Sequence, residues 1–366
     1  MKFKSERDLL VEALSAASRV VATRLIGAAS GILLSLTGNQ LTVTGTDLDI
    51  TVRTNVDVIG IEDGSIVVPA RLIVDAVRSL EAGAVTISNQ EENVEVSLGR
   101  AKFSLRTFAV MDYPNLPPVT GSTIQITALD LIQGLNQVVR AAANDDARPL
   151  LTGVLFTHDD ETLRLIATDS YRLAVRDVPG VASIAGAQDL LVPARALQEL
   201  QRAAASLTSD GEIGVTLTDA EVCFVVGAST IASRLIDGNY PSVLQLIPAS
   251  YPNQLRIAKD TLLTSLKRAK LLAKDSTSSV RLTMKEKAVE IRTQSIDTGD
   301  IEDNVDADYQ GEELTIAFNP SFLIDGIEAV VGDEVILEIS DAVRPAMVHG
   351  VEDIRFRYLL MPVRVQ

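Results

Sequence analysis

An internal repeat constrains this chain more than any other feature of its sequence. The segment IATDSYRLAVR at 166–176 has a counterpart, TGTDLDITVR, at 44–53, and VPAR at 68–71 recurs at 192–195. The aspartates of the first pair are 122 residues apart, and the prolines of the second pair are 124 residues apart. Motifs that recur in the same order at nearly constant spacing indicate a duplicated domain.

A third motif pair and a weaker third copy extend the pattern. FSLRTFAVMDYPNL at 103–116 matches IASRLIDGNYPSVL at 231–244, with 127 residues between the prolines. IRTQSI at 291–296 and AFNPSFLIDGI at 317–327 follow the earlier copies by about one period, and one third of the 366 residues is again 122. We therefore expect three tandem domains of ordinary size, with bounds at 1–120, 121–250 and 251–366.

Each repeat has the pattern of two helices and roughly eight short strands. Apolar residues at three- and four-residue spacing predict six helices, at 7–22, 69–80, 128–143, 193–207, 260–275 and 319–330. We expect Leu10, Leu14, Ala17 and Val21 to be buried in the first helix, and Leu72, Ile73, Ala76, Val77 and Leu80 in the second. Alternating segments with short turns between them predict antiparallel strands. The fold class is therefore α+β, with helices packed on antiparallel sheets.

Composition limits the possible functions. The hydrophobic content of 46% and the positive mean hydropathy of +0.21 are typical of a globular protein. The longest apolar stretch, GAASGILL at 27–34, is too short to span a membrane, so we expect a cytoplasmic protein. The net charge of −16 argues against a protein that simply coats nucleic acid, unless basic residues are collected locally.

Cysteine and histidine give no sign of a metal site or a catalytic centre. Cys223 has no partner for an internal disulfide, and the alternation of AEVCFVV indicates a core thiol on a strand. His158 and His349 have no Cys, Asp or Glu at ligand spacing. We expect both histidines at the surface, and no cofactor.

Basic residues are collected on particular helices. One pattern in the second helix of repeat one recurs 124 residues later in repeat two, as Arg71, Asp75 and Arg78, then Arg195, Glu199 and Arg202. This spacing puts the residues on the face opposite the apolar stripe. In repeat three the first helix carries Lys267, Lys270 and Lys274 instead. An ordinary solvated surface explains each helix alone, but the repetition favours an electropositive lining for a polyanion.

The motifs MKF, GTDLDI, VPAR, DYPNL, RPLLTGVLF, ATDSYRLAV, DGNYP and YLLMPVR stand in register along the whole chain. In this the sequence resembles the bacterial DNA polymerase III beta subunit family, the sliding clamps. The resemblance implies three clamp domains per chain, forming half of a six-domain homodimeric ring. It implies that duplex DNA passes through the ring without sequence-specific contacts, and that the ring tethers the replicative DNA polymerase without catalysing a reaction.

The resemblance also implies three sets of functional residues. The DNA-facing set is Arg24, Arg71, Arg78, Arg140, Arg148, Arg195, Arg202, Lys267, Lys270 and Lys274. A pocket would bind short peptides of the polymerase, the clamp loader and repair proteins, and its residues would be Arg148, Leu151, Thr168, Ser170, Tyr171, Arg172, Leu173, Pro241, Gln245, Leu246, Pro345, Met347, Leu359, Met361, Pro362, Val363 and Arg364. The dimer interface would contain Arg100, Lys102, Phe103 and Leu105 of one copy and Leu271, Leu272, Asp297, Asp300, Glu302 and Asp303 of the other.

Three alternatives compete with parts of this interpretation. A hydrolase would have to use Asp169 with Ser170 or Tyr171, but its motif contains no histidine and no glycine-rich phosphate loop. A peptide-binding scaffold, or a specialised clamp copy, would use the pocket without encircling DNA. The terminal YLLMPVRV segment taken by itself would also suit an ordinary edge strand.

Overall fold

The computed structural model describes residues 1–22, 26–145, 147–159, 162–179, 181, 188–208, 210–273, 279–295 and 299–364. Within these residues the chain forms six α-helices and 26 β-strands. Three of the predicted site residues, Arg24, Lys274 and Asp297, lie outside the described residues.

The three repeats share one order of elements: a strand and a helix, a run of strands, a second helix and a final three-stranded meander. Repeat one has β1 (Lys2–Glu6), α1 (Arg7–Val20), β2 (Gly31–Thr37), β3 (Gln40–Thr46), β4 (Ile50–Asp57), β5 (Ile59–Glu62), β6 (Gly64–Pro69), α2 (Ala70–Ser79), β7 (Ala84–Gln90), β8 (Asn93–Leu98) and β9 (Ala101–Arg106). Repeat two has β10 (Thr123–Thr127), α3 (Ala128–Val138), β11 (Gly153–Asp159), β12 (Thr162–Thr168), β13 (Arg172–Pro179), β14 (Leu190–Pro193), α4 (Ala194–Ala204), β15 (Glu212–Leu217), β16 (Glu221–Val226) and β17 (Ser229–Arg234). Repeat three has β18 (Asn253–Ala258), α5 (Lys259–Lys270), β19 (Val280–Lys285), β20 (Ala288–Ser295), β21 (Gly299–Asp306), β22 (Asp308–Gln310), β23 (Leu314–Phe318), α6 (Pro320–Ala329), β24 (Glu334–Ile339), β25 (Ala346–Gly350) and β26 (Phe356–Leu360).

The chain divides into two compact units, and each contains two sheets. The first unit comprises Met1–Leu129 and Arg195–Leu235. Its five-stranded sheet has the order β5-β1-β7-β8-β9, and its eight-stranded sheet the order β10-β15-β16-β17-β4-β3-β2-β6. In the larger sheet, β17 of repeat two pairs antiparallel with β4 of repeat one.

The second unit comprises Asp130–Ala194 and Ile236–Gln366. Its nine-stranded sheet has the order β14-β11-β12-β13-β26-β25-β24-β18-β22, and its four-stranded sheet the order β21-β20-β19-β23. Here β26 of repeat three pairs antiparallel with β13 of repeat two. The residues Tyr358–Leu360 of the terminal YLLMPVRV segment therefore belong to an interior strand rather than an edge strand.

The helices bury one face, as their apolar spacing predicts. Leu10, Leu14 and Ala17 of α1 are buried in a core that α2 and the strands of repeat one also contribute to. Two expectations need correction: Val21 follows the helix and is only half-buried, and Leu72 is 57% exposed. The helical period turns Ile73, Val74 and Val77 of α2 toward the core, which leaves Leu72 beside Arg71 in solvent.

The single cysteine and the two histidines lie on strands. Cys223 is buried on β16, which confirms the prediction of a core thiol. His158 is exposed on β11, as expected, but His349 on β25 is only 14% exposed. Strand alternation turns His349 toward Glu338, 3.6 Å away, so the expectation of a surface residue was wrong. Among the helices of the described ranges, none has the length and apolar character needed to cross a membrane.

Candidate functional site

The repeated Thr-Asp motif forms the same tight turn in two repeats. In repeat two the Thr168 hydroxyl donates to the Arg172 carbonyl oxygen at 2.6 Å and accepts from the backbone N–H of Ser170 at 3.1 Å. The Asp169 carboxylate accepts from the backbone N–H groups of Tyr171 and Arg172, at 2.9 and 3.0 Å. These bonds hold Ser170 at a left-handed φ of 78°. The turn therefore presents Ser170 and Tyr171 as exposed side chains.

An apolar cluster lies beside this turn. Strand pairing puts Leu173 of β13 opposite Leu359 of β26, and Leu359 opposite Met347 of β25. These three side chains pack with Val243 of the segment that precedes repeat three. Exposed Leu246 belongs to the same segment. These side chains form an apolar floor that includes Met347. Methionine is unbranched and adapts its shape, which suits a surface that accepts several apolar ligands.

Other members of the predicted pocket surround the cluster. Arg148 donates to the Ser170 hydroxyl at 2.6 Å and to the Asp169 carbonyl oxygen at 3.3 Å, so a cation stands at the rim. The Met361 backbone N–H donates to the Tyr171 carbonyl oxygen at 2.9 Å. The remaining members lie on the segments that flank these strands: buried Leu151, exposed Pro241, Gln245 and Arg364, and half-buried Pro345, Pro362 and Val363.

Arg172 faces away from this apolar floor. Its side chain is 7% exposed, and its guanidinium contacts Asp169 at 3.0 Å and Asp325 of α6 at 2.6 Å and lies 4.4 Å above the ring of Phe322. Burial alone would lower the pKa of Arg172, but Tyr358 and the two carboxylates raise it above its ordinary value. Arg172 therefore links the Thr-Asp turn to α6, because it pairs with Asp169 of the turn and with Asp325 of the helix.

Basic side chains of the second unit meet carboxylates of α6. Arg140 donates to the Glu328 carboxylate at 2.9 Å and lies 3.7 Å from Asp325. Lys267 of α5 contacts the other oxygen of Glu328, also at 2.9 Å. Both cations remain more than half exposed. Lys270 is exposed as well.

Basic side chains of the first unit show a similar arrangement. Arg195 contacts Asp47 at 2.9 Å, while Arg202 and Arg19 both contact Glu199. Glu199 is only 7% exposed, so the expectation that it lies on the solvated face was wrong. Arg19 and Arg202 cover Glu199. A buried carboxylate needs charged or hydrogen-bonding partners, and these two cations supply them.

The predicted position of Arg71 and Arg78 on the solvent face of α2 is confirmed. One basic residue was missed. Arg71 and Arg78 are exposed on one side of α2, and Arg78 donates to the Ser15 hydroxyl at 3.1 Å. Arg19 was not among the predicted residues. It stands 12 residues after the first residue of α1, and Arg140 stands 12 residues after the first residue of α3, so the repeat could have revealed it.

Six of the predicted interface residues lie on two strands, each at the edge of a sheet. β9 is an edge strand of the five-stranded sheet and carries exposed Lys102 and half-buried Phe103 and Leu105; Arg100 is exposed just before it. β21 is an edge strand of the four-stranded sheet and carries Asp300, Glu302 and Asp303. One edge is therefore basic and the other acidic.

Two details of the acidic edge were not foreseen. The Ser265 hydroxyl, at 2.7 Å, and the Arg268 guanidinium donate to the Asp303 carboxylate and lower its pKa below the ordinary value. Asp303 is therefore occupied within its own chain, whereas Asp300 and Glu302 are exposed. Leu271, at the end of α5, is 70% exposed, and Leu272 is half-buried.

Equivalent strands make both pairings between repeats. We call each pairing a seam: β4 of repeat one with β17 of repeat two, and β13 of repeat two with β26 of repeat three. By element order, β21 is the third member of the β4 and β13 set, and β9 is the third member of the β17 and β26 set. Those two strands end their sheets within the described residues.

Three family models match the chain in tandem. They are the N-terminal domain of the DNA polymerase III beta subunit at residues 1–117, the central domain at 125–242 and the C-terminal domain at 244–364. The three matches follow the order of the three repeats.

Curated relatives and solved structures agree with these matches. The beta sliding clamps of Streptomyces coelicolor and Bacillus subtilis are each 30% identical to this chain, and each alignment covers both chains fully. The crystal structure of the Bacillus subtilis DNA polymerase sliding clamp has a TM-score of 0.86 at 29% identity, and that of the Bartonella birtlesii clamp bound to griselimycin has 0.88 at 29%, again over the full length of both chains. The chain therefore belongs to the DNA polymerase III beta subunit family, as a protein of three tandem clamp domains.

Proposed function

We propose that this protein is a DNA polymerase processivity factor. Two copies close head to tail into a ring, the ring encircles duplex DNA and slides along it, and peptide motifs of the replicative polymerase bind to it. The protein catalyses no reaction in this role. Family membership supports the role, and the observation that carries it is the pair of equivalent seams with one strand of each kind left at a sheet edge.

The ring follows from the seams. Each internal seam joins a strand of one repeat to the last strand of the next repeat. The same rule pairs β21 of repeat three with β9 of repeat one, and we propose that this pairing forms between two copies. An unpaired edge presents backbone donors and acceptors that another strand can satisfy. The acidic residues of β21 and the basic residues near β9 add opposite charge to a head-to-tail contact. Asp300 and Glu302 are the exposed acidic candidates.

The lining of the ring is basic although the whole chain is acidic. The described candidates for phosphate contacts are Arg71, Arg78, Arg140, Arg148, Arg195, Arg202, Lys267 and Lys270. Arginine and lysine contacts to phosphates carry no sequence information, as a sliding protein requires. We also propose that the protein works in the cytoplasm and consists of domains 1–120, 121–250 and 251–366.

The partner site is the apolar cluster beside the Thr-Asp turn. Leu173, Met347 and Leu359 form its floor, Arg148 stands at its rim, and exposed Leu246 and Met361 extend it. An extended peptide with apolar side chains fits such a surface. Polymerase, clamp loader and repair proteins would compete for it. The related Bartonella clamp bound to griselimycin supports a ligand-binding surface in this family.

Topology provides the decisive test. The protein is loaded onto a nicked circular plasmid by a clamp loader, the complex is isolated by gel filtration, and half of it is then cut once with a restriction enzyme. A sliding ring stays on the circle and leaves the linear DNA within minutes. Equal retention on both forms would contradict the proposal, and so would binding of polymerase peptides without any retention on the circle, which is the behaviour of a peptide-binding scaffold.

A further inference from the structure

Two glutamates each bind two cations, one of which belongs to the preceding repeat. Glu199 accepts from Arg19 at 2.9 Å and also from Arg202. Glu328 accepts from Arg140 and from Lys267, both at 2.9 Å. Arg19 lies in α1 of repeat one, and Arg140 lies just after α3 of repeat two. The two residues occupy the same position in their repeats, and each contacts a glutamate of the next repeat. The arrangement is therefore built twice in one chain.

The cations point outward and the carboxylates are recessed. Exposed fractions are 39% for Arg19 and 49% for Arg202, against 7% for Glu199. They are 57% for Arg140 and 56% for Lys267, against 32% for Glu328. The hydrogen bonds from Lys267 and Arg140 lower the pKa of Glu328 below its ordinary value, so it stays ionised at neutral pH. Each glutamate thus cancels one of the two positive charges beside it, and at Glu328 the Asp325 carboxylate, 3.7 Å from Arg140, adds a further negative charge.

We propose that Glu199 and Glu328 compete with DNA phosphates for these cations and thereby keep the hold on DNA weak. The inference rests on the proposed function, because it takes the cations to face DNA. A carboxylate and a phosphate bind the same guanidinium and ammonium groups. At Glu328 both cations are more than half exposed, and exposed ion pairs contribute little free energy. A cation can therefore leave its glutamate for a passing phosphate and return to it, which lowers the barrier between successive positions on the duplex.

The test compares isosteric variants that differ in location. Glu328→Gln, Glu199→Gln and the double variant each remove carboxylate charge from a cluster. Glu290→Gln is the matched control: it removes the same charge from a pair with Lys285 at 2.8 Å on β19 and β20, outside both clusters. Binding of each full-length protein to a fluorescent duplex is measured by anisotropy over a series of salt concentrations.

Removing a competitor should strengthen DNA binding and its salt dependence. We expect Glu328→Gln to lower Kd several-fold at low salt and to steepen the slope of log K against log salt by about 1, and the double variant by about 2. The Glu290→Gln control should match the parent protein. On a DNA curtain, the diffusion coefficient of the loaded double variant should fall.

Other outcomes overturn the inference. If the cluster variants bind DNA like Glu290→Gln, or if all variants tighten equally, the carboxylates are structural or act only through net charge. Glu199 is buried, and its variant could fail to fold, so the variant at Glu328, which is 32% exposed, is sufficient to decide the question. Absence of any retention of the parent protein on circular DNA would instead overturn the proposed function, which keeps the two failures distinct.

Discussion

At the scale of single residues, the Thr-Asp motif is explained by one backbone requirement. Leu48 and Ser170 are equivalent in the repeat and have left-handed φ angles of 82° and 78°. In both turns the preceding threonine and aspartate side chains accept from the backbone N–H groups of the turn. The Thr-Asp pair recurs because these side chains hold a conformation that neither leucine nor serine prefers.

Leu48 gives a direct measure of this strain. Its side chain is 49% exposed, so Leu48→Ala and Leu48→Gly remove similar contacts, but only glycine adopts the left-handed region without a steric penalty. We expect the glycine variant to be more stable than the alanine variant by about 1 kcal/mol. Urea denaturation of both variants measures the difference, and equal stability would contradict the explanation.

At the scale of elements, α6 depends on close approach to β26. A Cβ at Gly326 would lie 2.4 Å from ring atoms of Tyr358. The Tyr358 hydroxyl donates to the Phe322 carbonyl oxygen at 2.8 Å, which fixes the ring against the helix. Glycine in mid-helix is unfavourable on its own, so this contact explains its presence.

Gly326→Ala should therefore destabilise the protein although alanine favours helices. We expect a loss of about 1–3 kcal/mol from overpacking. Gly134→Ala in α3 is the comparison, because there the nearest atoms are the methyl groups of Leu165 and Val178 at 3.0 Å, which can shift. Thermal melting should rank Gly326→Ala below Gly134→Ala, and the reverse order would show that α6 does not depend on this contact.

A buried ion pair next to β26 should make stability depend on pH. Arg176 is 2% exposed and pairs with Asp353, which is 13% exposed. Burial acts to raise the pKa of Asp353, but the hydrogen bonds from Arg176 and Arg355 hold it below its ordinary 3.8. A depressed carboxylate pKa stabilises the fold at pH above the unfolded value, and this contribution is lost as the pH falls through the folded value.

Asp353→Asn tests this dependence. At pH 7 we expect the variant to lose roughly 3 kcal/mol, because Arg176 keeps a buried charge without its counter-ion. The difference between parent and variant should shrink as the pH falls below 3.8, the ordinary value for this group. Denaturation curves at several pH values measure it. Glu290→Gln, an exposed pair, should change little at any pH.

At the scale of the whole molecule, the proposed ring puts a third seam between copies. We expect sedimentation to give about twice the chain mass of 39.2 kDa. Leu271→Asp puts a charge on a residue that is 70% exposed at the proposed contact, and it should reduce the mass to that of one chain. Ile354→Asp, which changes an equally exposed apolar residue elsewhere, should remain a dimer. A single-chain mass for the parent protein would contradict the ring.

Much of the fold could be predicted from the spacing of residues along the chain. The three repeats, the order of their elements, the α2 basic face and the buried Cys223 were all available from the sequence, because each depends on residues a few positions apart or on a constant offset. The position of Arg19 was available too, through its equivalence to Arg140. The error at Leu72 arose because the apolar face of α2 was drawn too wide, whereas at His349 the alternation of a single strand did not specify which side was covered.

The sequence by itself determined that one α+β unit is used three times and where its apolar and basic faces lie. Only the tertiary structure decided that β4 joins β17 and β13 joins β26, that Glu199 is buried beneath two arginines, and that Asp303 is taken up by Ser265 and Arg268. The physical reason is distance along the chain. Periodicity fixes the direction of a side chain within its own helix or strand, whereas the choice of partner depends on residues as much as 192 positions away that packing alone brings together.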